Sequence, residues 1–169
     1  MTTCSVPLPD AVEVSRPIVE RVIWATVATV GPDLRPRTRL MHPVWFWDHD
    51  GAPIALVSAR PTPIKVAHLA AHPTVSCFYW DPQHDTVAID ATAEWVANRA
   101  EAWRRVKAVP EPVGFDPAMI WPTGSDADDC GFLRLTAHRI VASPVGEQAV
   151  RWTGTADRTD DVSPHLRAG

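Results

Sequence analysis

The chain has 169 residues, 46% hydrophobic and 21% charged, which is the size and composition of one packed domain and excludes a disordered segment. Sixteen basic residues against 20 acidic ones give a formal net charge of −4, the wrong sign for a general nucleic-acid binder, so any basic site has to be local. No apolar run approaches the roughly 20 residues that span a bilayer, and no basic start leads a greasy stretch, so the sequence predicts a cytoplasmic protein that engages neither membrane nor nucleic acid.

In chain order, residues 1 to 15 carry prolines without periodicity and read as an arm, with a short helix at 16 to 22. The β-branched and aromatic run from Val22 to Val30, closed by Gly31-Pro32-Asp33, reads as a strand entering a turn. A second strand is expected from Arg37 to Trp47. The turn at Asp48-His49-Asp50-Gly51 then leads into a third strand, Pro53 to Ala59.

At Arg60-Pro61-Thr62-Pro63 the period changes. Apolar residues fall at helical spacing from Ile64 to Ala71, Thr62 is a competent N-cap, Pro63 suits the first helical position, and His72-Pro73 ends the helix. Thr74 to Trp80 is apolar on both faces and predicts a buried strand. Thr86 to Val96 alternates cleanly, with Val87, Ile89, Ala91, Ala93 and Trp95 on one face. Asn98-Arg99-Ala100-Glu101 is a capping box opening a helix to about Lys107. The proline-rich stretch from Ala108 to Cys130 reads as a long loop with one helical turn around Ala118, a lid or interface element in which Phe115 and Trp121 could cover a substrate. Phe132 to Ala142 is the sixth strand, and the tail beyond Ser143 has little apolar content. Six strands, two clear helices and no βαβ alternation predict a mainly β (α+β) fold, a six-stranded antiparallel split β-barrel with peripheral helices, whose closure would remove exposed edges.

Two stretches carry chemistry. In Ser58-Ala59-Arg60-Pro61-Thr62-Pro63-Ile64-Lys65 a strand ends, a hydroxyl and a guanidinium follow, and a helix begins with its free N–H groups facing the same place, the makings of an anion site. Lys65 is one of two lysines beside fourteen arginines. A cation in a first turn works against the helix dipole by about 0.3–1 kcal/mol, so a bound anion would explain it; a capped helix with solvated Arg60 and Lys65 is the competing account. In Arg37-Thr38-Arg39-Leu40-Met41-His42, period two puts Arg37 and Arg39 on one strand face, roughly 6.6–6.8 Å apart. Arginine's fork suits a phosphate between them, and an edge strand charged against aggregation competes with that reading.

Other features point elsewhere. His68 and His72 have the i, i+4 spacing of a metal pair but lack a third ligand, so no metal site is assigned. Trp45 and Trp47 share a strand face and read as core rather than as a base-stacking platform. Cys4, Cys77 and Cys130 are odd in number with no C-x-x-C and read as free thiols, Cys77 as a core residue.

Taken together, Arg37-Thr38-Arg39-Leu40-Met41-His42, Ser58-Ala59, Lys65, His72-Pro73-Thr74-Val75-Ser76 and Thr86-Val87-Ala88-Ile89 through Ala93-Glu94 resemble the pyridoxamine 5′-phosphate oxidase-like split β-barrel family, which includes deazaflavin-dependent reductases. The resemblance covers residues 22 to 96 well and 131 to 142 loosely. It implies a homodimer with FMN, or the deazaflavin coenzyme F-420, between subunits. By the resemblance Arg37 and Lys65 hold the phosphate, Ser58 assists, the backbone of Thr38, Arg39 and Leu40 meets the ring edge, and Thr86 approaches from the partner side. The reading of residues 58 to 65 adds Ala59, Arg60 and Thr62 to that phosphate site.

The chain departs from the family's oxidases in having His42 for a lysine, Ile64 for an arginine and Thr86 for a glutamine, and it lacks their C-terminal arginine and histidine, which argues against vitamin B6 synthesis. The resulting expectation is a flavin- or deazaflavin-dependent oxidoreductase acting on a small organic substrate, with no side chain assigned as acid or base. A non-catalytic carrier of a flavin-like or haem-like ligand, and an interaction domain with an empty barrel, are the competing readings. The expected division is an arm and short helix over 1–21, a cofactor-binding split barrel over 22–142 and a tail over 143–169.

Overall fold

The computed structural model of the chain describes residues 3–48 and 51–154, so His49 and Asp50 of the expected turn and the tail from residue 155 lie outside the described residues. The chain runs β1 (Cys4–Ser5), α1 (Leu8–Val22), β2 (Ala25–Val30), β3 (Pro36–Met41), β4 (Pro43–Phe46), β5 (Ile54–Ser58), α2 (Pro63–Ala71), β6 (Thr74–Trp80), β7 (Thr86–Trp95), α3 (Arg99–Ala108), a 3₁₀ turn (Pro117–Met119), β8 (Phe132–Ser143) and β9 (Val150–Thr153). No described helix is long and apolar enough to cross a membrane.

The nine strands of the described residues belong to one sheet, hydrogen-bonded in the order β1-β9-β8-β7-β6-β2-β3, with β5 pairing β8 off this path and β4 pairing β5. The expectation of six strands closing a barrel is therefore corrected to an open, branched sheet of nine. The physical reason lies at His42-Pro43. Residues 37 to 47 read as one strand, but Pro43 has no N–H for the ladder. The strand splits there: β3 pairs with β2 from Ala25↔Met41 to Val30↔Pro36, whereas β4 pairs with β5 from Pro43↔Val57 to Phe46↔Ile54. β9 and β1 come from segments read as unstructured. Both are short and held by backbone pairing, β9 antiparallel to β8 and β1 parallel to β9, which hydropathy does not register.

Helix α1 also extends further than its sequence suggests, replacing most of the expected arm. Pro9 stands in the first turn, where a missing N–H costs nothing, and Pro17 interrupts the interior. Burial of Ala11, Ser15, Ile18 and Val19 on one face holds the helix together in spite of Pro17.

Two apolar clusters flank β5. Ala55 and Val57 face the main core with Val27, Trp45, Tyr79, Ile89 and Leu135, while Leu56 faces a second cluster with Val44, Val106, Trp121 and Phe132. Coverage on both faces makes β5 a rigid rail into α2. Trp45 and Trp47 stack at 5.7 Å inside the main core, as read.

Within that core the Trp45 indole N–H donates to the Tyr79 hydroxyl at 2.8 Å, both groups being buried. Tyr79→Phe leaves the indole donor buried without a partner and is expected to lower stability by about 1–3 kcal/mol. Denaturant unfolding measures this; an unchanged midpoint at unchanged slope would contradict it.

Candidate functional site

A cavity of about 660 Å³ opens where β3, the β5–α2 junction, the turn after α1 and residues 111–121 meet. Its floor at one end is cationic. β5 delivers Ser58 and Ala59, the chain turns through Arg60, and α2 starts at Pro63 with Thr62 at its N-cap. The Thr62 hydroxyl makes no capping hydrogen bond, so the first-turn N–H groups have no side-chain acceptor. Lys65 Nζ donates to the Arg60 carbonyl at 2.9 Å. Burial pulls the Lys65 ammonium below the ordinary lysine range, and the nearby Arg39 and Arg60 guanidinium groups pull it further.

Arg39 reaches this end from β3. Its guanidinium donates to Thr29 Oγ1 at 2.7 Å, and Thr29 lies 3.0 Å from Nδ1 of the buried His68. The Thr29 hydroxyl accepts from Arg39 and shares a second hydrogen bond with His68 Nδ1. The His68 ring that a metal pair would have used is thus engaged in steadying Arg39. Arg60 alone of the three cations has a carboxylate partner among the described residues, Asp129 at 2.5 Å, and its guanidinium lies 6.0 Å from the Trp121 ring centre. Two donors on cavity-lining residues, Ser58 Oγ and Trp121 Nε1, are buried without a hydrogen-bond partner among the described residues. Orphaned donors beside uncompensated cations are what a phosphate-bearing ligand requires, so the residues present fit a flavin phosphate.

The opposite end is aromatic. Helix α1 stops in an uncommon way: Ile23 has φ 67° and ψ −57°, and the Trp24 N–H donates to the Val22 carbonyl at 2.7 Å, a γ-turn of the strained kind. A β-branched residue in that region costs about 1–3 kcal/mol. Beyond it, Trp24 stands 5.3 Å from the His42 ring, and His42 stands 4.8 Å from Phe115. His42 Nε2–H donates to the Val113 carbonyl at 2.8 Å, and burial pushes the imidazole below the ordinary histidine value of 6.5. The ring is therefore neutral, with Nδ1 as its remaining acceptor.

Of the residues read from the sequence, Arg39, Leu40, Ser58, Ala59, Arg60, Thr62 and Lys65 line this one cavity. Arg37 and Thr38 sit exposed toward the far end of β3, and Thr86 opens β7 opposite Trp80 and Ser143; these three do not line it. Phe115 and Trp121, nominated as covers, do. Trp24 and the ring role of His42 escaped the sequence reading, because Trp24 was absorbed into a strand that begins only at Ala25. Cys77 is buried, and desolvation raises its thiol to about 12, so it is inert as a nucleophile.

The family model of pyridoxamine 5′-phosphate oxidase matches residues 12–144 of this chain. Among solved structures, a protein related to general stress protein 26 of B. subtilis, from Clostridium acetobutylicum, is similar at 19% identity and a TM-score of 0.67, covering 88% of this chain and 96% of that one. A pyridoxamine 5′-phosphate oxidase-related, FMN-binding protein from Nostoc punctiforme is similar at 14% identity and a TM-score of 0.56, covering 85% and 86%. A haem-binding protein from Mycobacterium smegmatis is similar at 19% identity and a TM-score of 0.63, covering 89% of this chain but 61% of that one. No curated protein matches the chain in sequence.

The buried imidazole predicts a pH dependence. The unfolded chain takes up the His42 proton near the ordinary value and the folded chain only at lower pH, so between the two the unfolded state holds more protons. Stability should fall as pH drops below about 6.5, and His42→Gln should lose that part of the slope. Chemical unfolding of both proteins from pH 7.5 to pH 5 reads the difference, and parallel curves would contradict it.

Proposed function

We propose, for a chain that belongs to the pyridoxamine 5′-phosphate oxidase family, that the cavity holds FMN, or the deazaflavin coenzyme F-420, by its phosphate and that the protein is a cytoplasmic oxidoreductase acting on a small organic substrate. The observation that carries this reading is the cationic end of the cavity, where Lys65 and Arg39 have no carboxylate partner among the described residues and the Ser58 hydroxyl is buried without a bond. An FMN-binding protein among its structural relatives supports the same cofactor class.

When bound, the cofactor supplies the redox chemistry, accepting and returning a hydride or an electron pair. The chain's own residues bind, orient and exclude water. Lys65 and Arg39 meet the phosphate charge, Arg39 being steadied by Thr29 and His68. Ser58 Oγ–H and the first-turn N–H groups of α2 donate to phosphate oxygens, with Arg60 and Thr62 beside them. The backbone from Thr38 to Leu40 runs along a sheet edge with free polar groups, which suits the rim of a ring. The segment 111–121 keeps bulk water from the opposite side.

A homodimer completes the site in this reading. The Arg37 and Thr86 side chains lie away from the cavity of their own chain, and in this reading they reach a cofactor across a subunit boundary. The sheet's outer face supports such a boundary: Leu40, Thr26, Phe78, Ala88 and Val141 fall in register in one row across five strands, and the large apolar members Leu40 and Phe78 are exposed.

Lys65→Ala should weaken FMN binding by about 1.5–3 kcal/mol, roughly ten- to a hundredfold, with the unfolding midpoint of the cofactor-free protein unchanged. Titration of the cofactor-free protein followed by flavin fluorescence measures it, and sedimentation of the loaded protein should give twice 18.6 kDa. Undiminished affinity in the variant would remove Lys65 from the site, and a loaded 18.6 kDa species would overturn the shared site.

A further inference from the structure

The two ends of the cavity ask for different chemistry. The cationic end suits an anion. The other end is walled by rings and fits something flat. His42 is sandwiched there between Trp24 and Phe115, with centroids 5.3 Å and 4.8 Å away and planes inclined by 49° and 31°. Its ring cannot swing freely, because Nε2–H is tied to the Val113 carbonyl at 2.8 Å. That bond leaves Nδ1 as a lone-pair acceptor, and no donor reaches it among the described residues.

Trp24 is 52% exposed although it borders the cavity, so its indole has apolar surface to offer a ligand. Its position is held by conformational strain. The γ-turn at Ile23 puts a β-branched residue at φ 67° for one visible result, which is to swing Trp24 off the α1 axis and against His42. Strain of this kind collects where a group has to be held in place for binding. The charge pattern narrows the ligand. Arg39, Arg60 and Lys65 outnumber Glu111 among the charged residues that line the cavity, so a cationic ligand is disfavoured there, and an anionic one is drawn to the cationic end, which leaves the ring end to an uncharged group.

We propose that the Trp24–His42–Phe115 end of the cavity binds the flat, uncharged ring of the second reactant, which stacks on these side chains and donates one N–H or O–H to His42 Nδ1. This rests on the reading of the opposite end as the cofactor's phosphate site. It makes Trp24 and Phe115 the stacking surface and His42 the residue that selects among flat substrates. Ile23 acts through Trp24 as a positioning residue.

The test uses 2-naphthol and 2-methoxynaphthalene, the same ring with and without a hydroxyl donor, titrated calorimetrically into the full chain with and without saturating FMN. The wild-type protein should prefer 2-naphthol by about three- to tenfold, the effect of one hydrogen bond. His42→Phe keeps a flat ring but removes the acceptor, and should abolish that preference while leaving 2-methoxynaphthalene binding unchanged. Trp24→Ala should weaken both probes by roughly tenfold, the effect of losing one stacking partner. FMN affinity of Trp24→Ala should stay within twofold of the wild type. Equal affinity of the two probes for the wild type, absence of binding, or a Trp24→Ala variant that binds as before would each overturn the proposal. So would a parallel loss of FMN affinity in Trp24→Ala, since the rings would then carry the cofactor. A chain that binds 2-naphthol in this pattern but takes up no FMN would instead sink the cofactor reading and leave the ring site standing.

Discussion

Positive charge crowded into a partly buried place is the constraint around which this structure is arranged. Arg39 from β3, Arg60 from the β5–α2 turn and Lys65 from the first turn of α2 converge on one end of a cavity, and their mutual repulsion together with burial holds the Lys65 ammonium below its ordinary range. Charges so placed are unfavourable until something anionic joins them. Asp129 offsets Arg60, and in doing so it ties the segment before β8 to the cationic end. Arg99 fastens the same segment from α3, donating to the carbonyls of Ala127 and Cys130.

The sheet supplies the rigidity that such a site needs. β5 is packed on both faces, so the point where it passes into α2 is fixed by two cores. Pro43 divides the expected strand in two: Arg39, Leu40 and Met41 at the end of β3 border the cavity, while Val44 and Trp45 of β4 enter the two cores. On the far side, the strained turn at Ile23 sets Trp24 against His42, so that flat and charged surfaces face each other across one volume.

What could be read in the sequence was what depends on neighbours along the chain. Thr62 and Pro63 announce the start of α2 by type and spacing, and Ser58, Ala59, Arg60, Thr62 and Lys65 border one cavity as that reading has it. The alternation of Val87, Ile89, Ala91 and Ala93 fixed the inward face of β7 in advance. Features that depend on distant partners were hidden. α1 carries two prolines and forms because Ile18 and Val19 find the core, and β9 forms because β8 offers it a backbone edge. The split at Pro43 was marked by a residue in plain view, yet the segments on either side read as one strand. Arg37 and Thr86, named through the family resemblance, stand outside the cavity of a single chain, because motif spacing does not tell which end of β3 or β7 the cavity adjoins. Trp24 and His42 became neighbours only through a turn that no propensity favours.

The central claim is that the cationic end of the cavity recognises a phosphate carried by a ring system. It is tested most directly by comparing the affinities of the cofactor-free protein for FMN and for riboflavin, which share the ring and differ in the phosphate. The account predicts that FMN binds at least about tenfold more tightly, through charge-assisted hydrogen bonds, and that raising the salt concentration narrows the gap. Equal affinities at low salt would contradict it.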